Sequence, residues 1–148
     1  MTDSLQLILL ETLRQRISEI PGIQSCYLDR HEPVGDNELK PLVIINSAGS
    51  EYSKQASHTI RIEKMIIQVE IHAPFSTEIT LSRLHDPWFS AVDTVIDTWS
   101  RTVLGHQGVD LISSTMLGES GWLGYLLLTY NLEQIHQQGN RSAVPGIP

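Results

Sequence analysis

Six histidines, His31, His58, His72, His85, His106 and His136, are the residues of this 148-residue chain best suited to metal or proton chemistry. A zinc site advertises itself through histidines four apart on one helix face, or through closely spaced cysteines. No histidine pair has that spacing, and Cys26 is the only cysteine. No metal site, no cofactor site and no intramolecular disulfide is therefore expected. Cys26 itself reads as a small apolar residue on a strand. The nearest approach to an acid–base cluster is His85-Asp86 followed by Asp93 and Asp97. Asp86 is better used as a helix N-cap, and Asp93 and Asp97, four apart, read as a self-repelling pair on an exposed helix face.

The remaining catalytic signatures are missing. No serine sits in a Gly-x-Ser-x-Gly elbow. Gly118-Glu119-Ser120-Gly121 is one residue short of that pattern and reads as a hairpin turn. Neither a Gly-Lys-Ser/Thr phosphate loop nor a Gly-x-Gly-x-x-Gly dinucleotide turn occurs. The chain is expected not to be an enzyme. Ten basic against seventeen acidic residues give a formal charge of -7. The basic residues are scattered, whereas a duplex-binding surface clusters them. Sequence-specific nucleic-acid binding and attachment to an anionic membrane are not expected. Met1-Thr2-Asp3-Ser4 lacks the basic start of a secretory leader, and apolar runs such as Leu7 to Leu10 are too short to span a bilayer. Synthesis and folding in the cytoplasm are the expectation.

The elements that would position these residues can be read from periodicity. Leu5, Ile8, Leu9, Leu13, Ile17 and Ile20 recur at steps of three and four, which predicts a helix over Asp3–Ile20, widened by Leu7 and Leu10 and stopped by Pro21-Gly22. A strand over Ile23–Asp29, a polar loop from Arg30 to Lys40 and a strand over Leu42–Asn46 follow. Ser47 to Ser57 is polar and aperiodic and reads as a long mobile loop. Thr59–Ala73 alternates strongly through Met65, Ile67, Val69, Ile71 and Ala73, with Ile60 and Ile62 out of phase, so a bulge is expected near Glu63. Asp86-Pro87 opens a second helix with Trp88, Val92, Val95, Ile96 and Trp99 inward, Asp93, Asp97 and Ser100 outward, and Gly105 at its end. A hairpin of Val109–Leu117 and Trp122–Gln134 closes the domain, with Leu126, Leu128, Tyr130 and Leu132 on one face.

The order α-β-β-β-α-β-β implies an α+β domain over residues 1–136: an antiparallel sheet with two helices on one face. Strands of about thirteen residues reach roughly 40 Å, against a radius of gyration of about 15 Å at this size. They must bend or project, and projecting hairpins bind neighbours. Residues 137–148 carry Gly139, Pro145, Gly146 and Pro148 and read as an extended tail.

This layout resembles the tail-terminator and neck proteins of long-tailed bacteriophages. The matching features are the helix ending at Pro21, the strand Pro41-Leu42-Val43-Ile44-Ile45, the long strand Ile66–Ala73, the helix after Asp86-Pro87 and the final hairpin. The resemblance spans nearly the whole chain as a pattern of elements, without a signature motif. It implies a virion structural subunit that forms a homo-oligomeric ring, commonly a hexamer, at the end of a tail tube. Its partners would be its own copies, the tail tube protein and the head–neck proteins, with DNA passing through the lumen. By that analogy the assembly contacts fall on Ser50, Glu51, Tyr52, Lys54 and Arg61, on Trp122 at a hairpin tip, and on Arg141, Val144 and Ile147 in the tail. Another neck, tail-completion or tube component fits the same layout. Two readings of other classes stand beside it: a ligand-binding or regulatory domain using the open sheet face, and an enzyme using His85 with Asp86 or His72 with Glu70.

Overall fold

The structure, a computed structural model, describes residues 5–35, 37–57, 60–74, 80–102, 106–119 and 123–137. Its element order is α1 (Leu5–Ser18), β1 (Ser25–Leu28), β2 (Leu42–Ser57), β3 (Ile60–His72), α2 (Leu81–Thr102), β4 (His106–Glu119) and β5 (Leu123–Gln137). The five strands form one sheet in the order β1-β2-β3-β5-β4. The α+β class and the order of elements agree with the sequence reading.

The core lies between the two helices and one face of the sheet. Leu9, Leu10, Leu13 and Ile17 of α1 and Val92, Ile96 and Trp99 of α2 pack on Val43, Ile45, Met65, Ile67, Val69, Ile71, Leu126, Leu128, Tyr130 and Leu132. The alternation in β3 and β5 produces this face directly, because a strand sends every second side chain the same way. The α1 stripe is narrower than the sequence implied. Leu10 is buried as implied, whereas Leu7 and Ile8 are 40% and 45% exposed. Pro21-Gly22 stops α1 as expected. Gly22 has φ +94°, and a Cβ there would come within 2.9 Å of Cη2 of Trp88, so a glycine is needed both for the turn and for seating α2.

Five further expectations are corrected. The sheet is mixed, not antiparallel throughout, because β1 runs parallel to β2, Ser25 opposite Leu42 and Leu28 opposite Ile45. The 29–41 connection is long enough for such a return. It is held by Glu38, which accepts from Arg30 Nη2 at 2.7 Å and from the Gly35 N–H at 2.6 Å.

The stretch Ser47–Ser57 is not a loop. It continues β2 to a total of 16 residues, paired with β3 as far as Ser57 opposite Ile60. Its polarity misled because main-chain pairing, not apolar alternation, holds it.

The bulges lie in β2, between Ser47 and Ser50 and between Ser53 and Ser57, with Gly49 at φ +117° in the first. β3 pairs with β5 without a break across Glu63. Glu63 takes an inward position beside Met65, 1% exposed, and accepts from Ser50 Oγ at 2.6 Å, which satisfies a carboxylate that would otherwise be expelled.

Finally, α2 starts at Leu81, capped by Thr80, whose Oγ1 accepts from the Arg83 N–H at 3.3 Å. Pro87 lies inside the helix, not at its start. Its missing N–H frees only the carbonyl of exposed Arg83, which water can satisfy. Asp93, expected outward, accepts from the Tyr130 hydroxyl at 2.8 Å. Gly105 lies outside the described residues.

Leu13→Ala, in the centre of the core, is expected to lower unfolding free energy by about 2–5 kcal/mol. Leu7→Ala, on the exposed turn, should change it by less than about 0.5 kcal/mol. Urea titration of the two variants beside the wild type measures both.

Candidate assembly surface

Among the described side chains, the last buried apolar residues toward one end of the sheet are Met65 and Leu132, which face each other across β3 and β5. Beyond them β3 runs five more residues to Ile60, roughly 17 Å. β2 accompanies it to Ser57, and β5 to Gln137 opposite Ile60. Gln137, taken as the start of the tail, is thus the last paired residue of β5. β4 keeps pace as far as His106 opposite Gln134, which faces Glu63, so only the stretch beyond, Ile60–Ile62 with the ends of β2 and β5, is a three-stranded arm. At its base Lys64 Nζ and Glu133 Oε1 pair at 3.7 Å, a half-exposed contact worth little by itself.

Five of the residues assigned to assembly fall on this arm or at its base. Ser50 is opposite Met65, Glu51 opposite Lys64, Tyr52 opposite Glu63, and Arg61 opposite His136 of β5. Lys54 lies in the second β2 bulge, between Ser53 and Ser57. The structure therefore brings these five together on one hairpin. Ser50 also has an internal role through its bond to Glu63. Trp122 lies outside the described residues, between Glu119 and Leu123, which close the β4–β5 hairpin at the opposite end of the sheet. Arg141, Val144 and Ile147 also lie outside the described residues.

Residue-type reasoning missed the sheet edges. β4 is an edge strand of 14 residues with no Lys, Arg or Pro. Leu111 is 41% exposed, and Ser113, Ser114 and Thr115 are exposed on successive, opposite-facing positions. On the other side, β1 covers β2 only from Leu42 to Ile45. Asp29 Oδ1 accepts from the Ser47 N–H at 3.1 Å, and among the described residues no strand pairs with the outer side of β2 after that point. Long unpaired edges are templates for other strands, and folded proteins usually blunt them with charge, proline or bulges. Both outer strands are bulged here, β4 between His106 and Gly108 and between Leu111 and Ser113. The composition of residues 106–119 was the available signal.

The two acid–base pairs differ in their surroundings. His85 is buried while its neighbour Asp86 is exposed. His72 Nε2 lies 3.9 Å from Glu70 Oε1, beyond hydrogen-bond range, and its ring stacks on Tyr125 with centroids 4.8 Å apart. Burial, reinforced by Lys40, His85 and Arg30, lowers the His72 pKa to about 4. Burial also raises that of Glu70, against the hydrogen bond from Asn46 Nδ2 at 3.1 Å. Burial pushes the Cys26 thiol up to about 12, so it is no nucleophile. Asp97 pairs with Arg101 at 3.2 Å. Among the described residues no group of three or more His, Cys, Asp or Glu could hold a metal ion, and no helix is long and apolar enough to cross a membrane. A cleft of about 640 Å³ lies between the C-terminal end of α1 and the middle of α2, lined by Ile20, Pro21, Ala91, Thr94, Val95 and Thr98 among others.

In comparisons with known proteins, no family model matches the chain and no curated protein gives a significant match.

A histidine whose pKa is depressed on folding stabilises the fold fully above its ordinary value near 6.5, and that contribution drains away as pH falls toward 4. The raised Glu70 pKa acts in the opposite sense, so Glu70→Gln is the useful background. In it, His72→Phe is expected to flatten the fall in urea midpoint between pH 6.5 and 4. An unchanged slope would show that His72 titrates no differently in the folded chain.

Proposed function

We propose that this chain is a structural subunit that assembles with its own copies into a ring. The observation that carries the reading is the three-stranded end of the sheet at Ile60–Ile62 together with, among the described residues, an unpaired edge on each side of the sheet. A domain that exposes so much main-chain hydrogen-bonding capacity is stable in solution once another chain covers it. An interface between unlike patches, repeated about an axis, closes into a ring. With the resemblance of its layout to phage tail-terminator and neck proteins, this supports a ring at the end of a tail tube, joining tail to head, with Ser50, Glu51, Tyr52, Lys54 and Arg61 at contacts between subunits or with the tube. The net charge of -7 fits a passage for DNA, because a negative wall repels phosphate.

A second reading rests on the cleft between α1 and α2, which has the size of a small-ligand site. It makes the chain a ligand-binding or regulatory domain, with the ligand on the helix layer and not on the open sheet face. Thermal-shift screening against metabolites separates the two, since this reading requires a raised melting temperature with one of them.

Light scattering coupled to size exclusion, with negative-stain images, tests the ring directly. The expected species is a closed multimer, formed alone or on purified tail tubes. A monomer at every concentration that also ignores tubes would count against it. Reversing the arm charges with Lys54→Glu and Arg61→Glu is expected to lower assembly at least tenfold, with the melting temperature held within a few degrees.

A further inference from the structure

The strand directions and register say how copies of this sheet would meet. β2 is antiparallel to β3, β3 to β5, and β5 to β4, so β2 and β4 run in opposite directions. Among the described residues, β4 and the part of β2 beyond β1 have no strand on their outer side. A rotation about an axis close to the strand direction leaves each strand pointing the same way. It therefore sets β4 of one copy beside β2 of the next in the antiparallel sense, with no flip.

Height matches as well. Following the ladders across the sheet, Leu111 faces Tyr130, Tyr130 faces Ile67, and Ile67 faces Ser47. In the same way His106 leads through Gln134 and Glu63 to Tyr52. The β4 segment His106–Leu111 and the β2 segment Ser47–Tyr52 thus lie level with each other on opposite sides of one subunit. The open stretch of β2 begins at that level, where β1 has ended and Asp29 has taken the Ser47 N–H. Both outer strands are bulged and the central β3–β5 ladder is not, and bulges curve a sheet toward closure.

We infer that subunits join edge to edge, β4 residues His106–Leu111 of one copy pairing antiparallel with β2 residues Ser47–Tyr52 of the next. The sheet becomes continuous from copy to copy, and the occupant of each edge is a second copy of this chain. A two-fold pairing of β4 with β4 would leave the β2 edge open in both partners. The head-to-tail contact uses both segments in one repeated interface, and closure then leaves neither of them open. This contact rests on the ring reading above and specifies its interface.

Leu111 is exposed and level with Ser47, and Ala48, the next residue of β2, is exposed, which makes Ala48 and Leu111 the reporter pair. The native thiol of Cys26 is buried and silent to maleimides. The full-length double variant Ala48→Cys/Leu111→Cys, shown by its melting curve to fold as the wild type does, is treated with a short bis-maleimide. It is run on denaturing gels beside each single variant. The expected result is a ladder of covalent multimers from the double variant and only monomer from Ala48→Cys or Leu111→Cys alone. Dimers from Leu111→Cys alone would mean β4–β4 pairing and overturn the inference. Rings seen by light scattering and microscopy without the ladder would overturn this interface and leave the ring standing. A monomer under all conditions would overturn both.

Discussion

The β3–β5 ladder is the constraint on which the rest of the molecule depends. It runs without a break from Ile60 opposite Gln137 to Ile71 opposite Leu126, joining segments more than fifty positions apart at the core end. Its inward positions, Met65, Ile67, Val69 and Ile71 against Leu126, Leu128, Tyr130 and Leu132, are the surface on which both helices pack. Burial of that surface is the main favourable term in folding. Because this ladder is in register throughout, it also sets the heights of β2 and β4 on its two sides. Irregularity is confined to those outer strands, where bulges cost little core packing.

Several of the molecule's ionisable groups are accounted for by folding. Arg30 and Glu38 tie down the 29–41 connection, and their bond, with that of the Gly35 N–H, lowers the Glu38 pKa to about 2. Asp93 receives the buried Tyr130 hydroxyl, whose pKa is raised by that burial and by the carboxylate beside it. Glu63 is held at the base of the arm by Ser50. The described residues then offer two unassigned surfaces, the α1–α2 cleft and the sheet edges. The edges carry the proposal because strand edges that no described strand covers exert a stronger demand than an open cleft between two helices.

How much was legible in the sequence follows from what each pattern encodes. Alternation gave β3 and β5, and three-to-four spacing gave α1 and the stripe of α2, since these patterns are the core contacts themselves. Lys54 and its neighbours in 47–57 looked like loop because a strand held by main-chain pairing leaves no apolar trace. Glu63 hid for the converse reason: a charged residue is read as outward until its partner, Ser50, is known to lie across the ladder. Asp86-Pro87 is a strong start signal, yet Thr80 caps the helix earlier, and Pro87, nearly two turns on, is accommodated inside the helix at the loss of one hydrogen bond to the carbonyl of Arg83. The parallel run of β1 was invisible because strand direction depends on where a loop delivers the chain. Of the residues singled out for assembly, five share the β2–β3 hairpin. Their grouping became visible once 47–57 was seen to be strand.

Amide hydrogen exchange on the assembled protein tests the central claim most directly, since it reads main-chain pairing residue by residue. In the multimer, amides in 48–52 and 106–111 that point away from their own sheet are predicted to exchange slowly, approaching those of the β3–β5 ladder, and to become fast on dilution to monomer. A multimer in which these amides stay fast while protection appears along the α1–α2 cleft would contradict it, and would move the interface from the sheet edges to the helices.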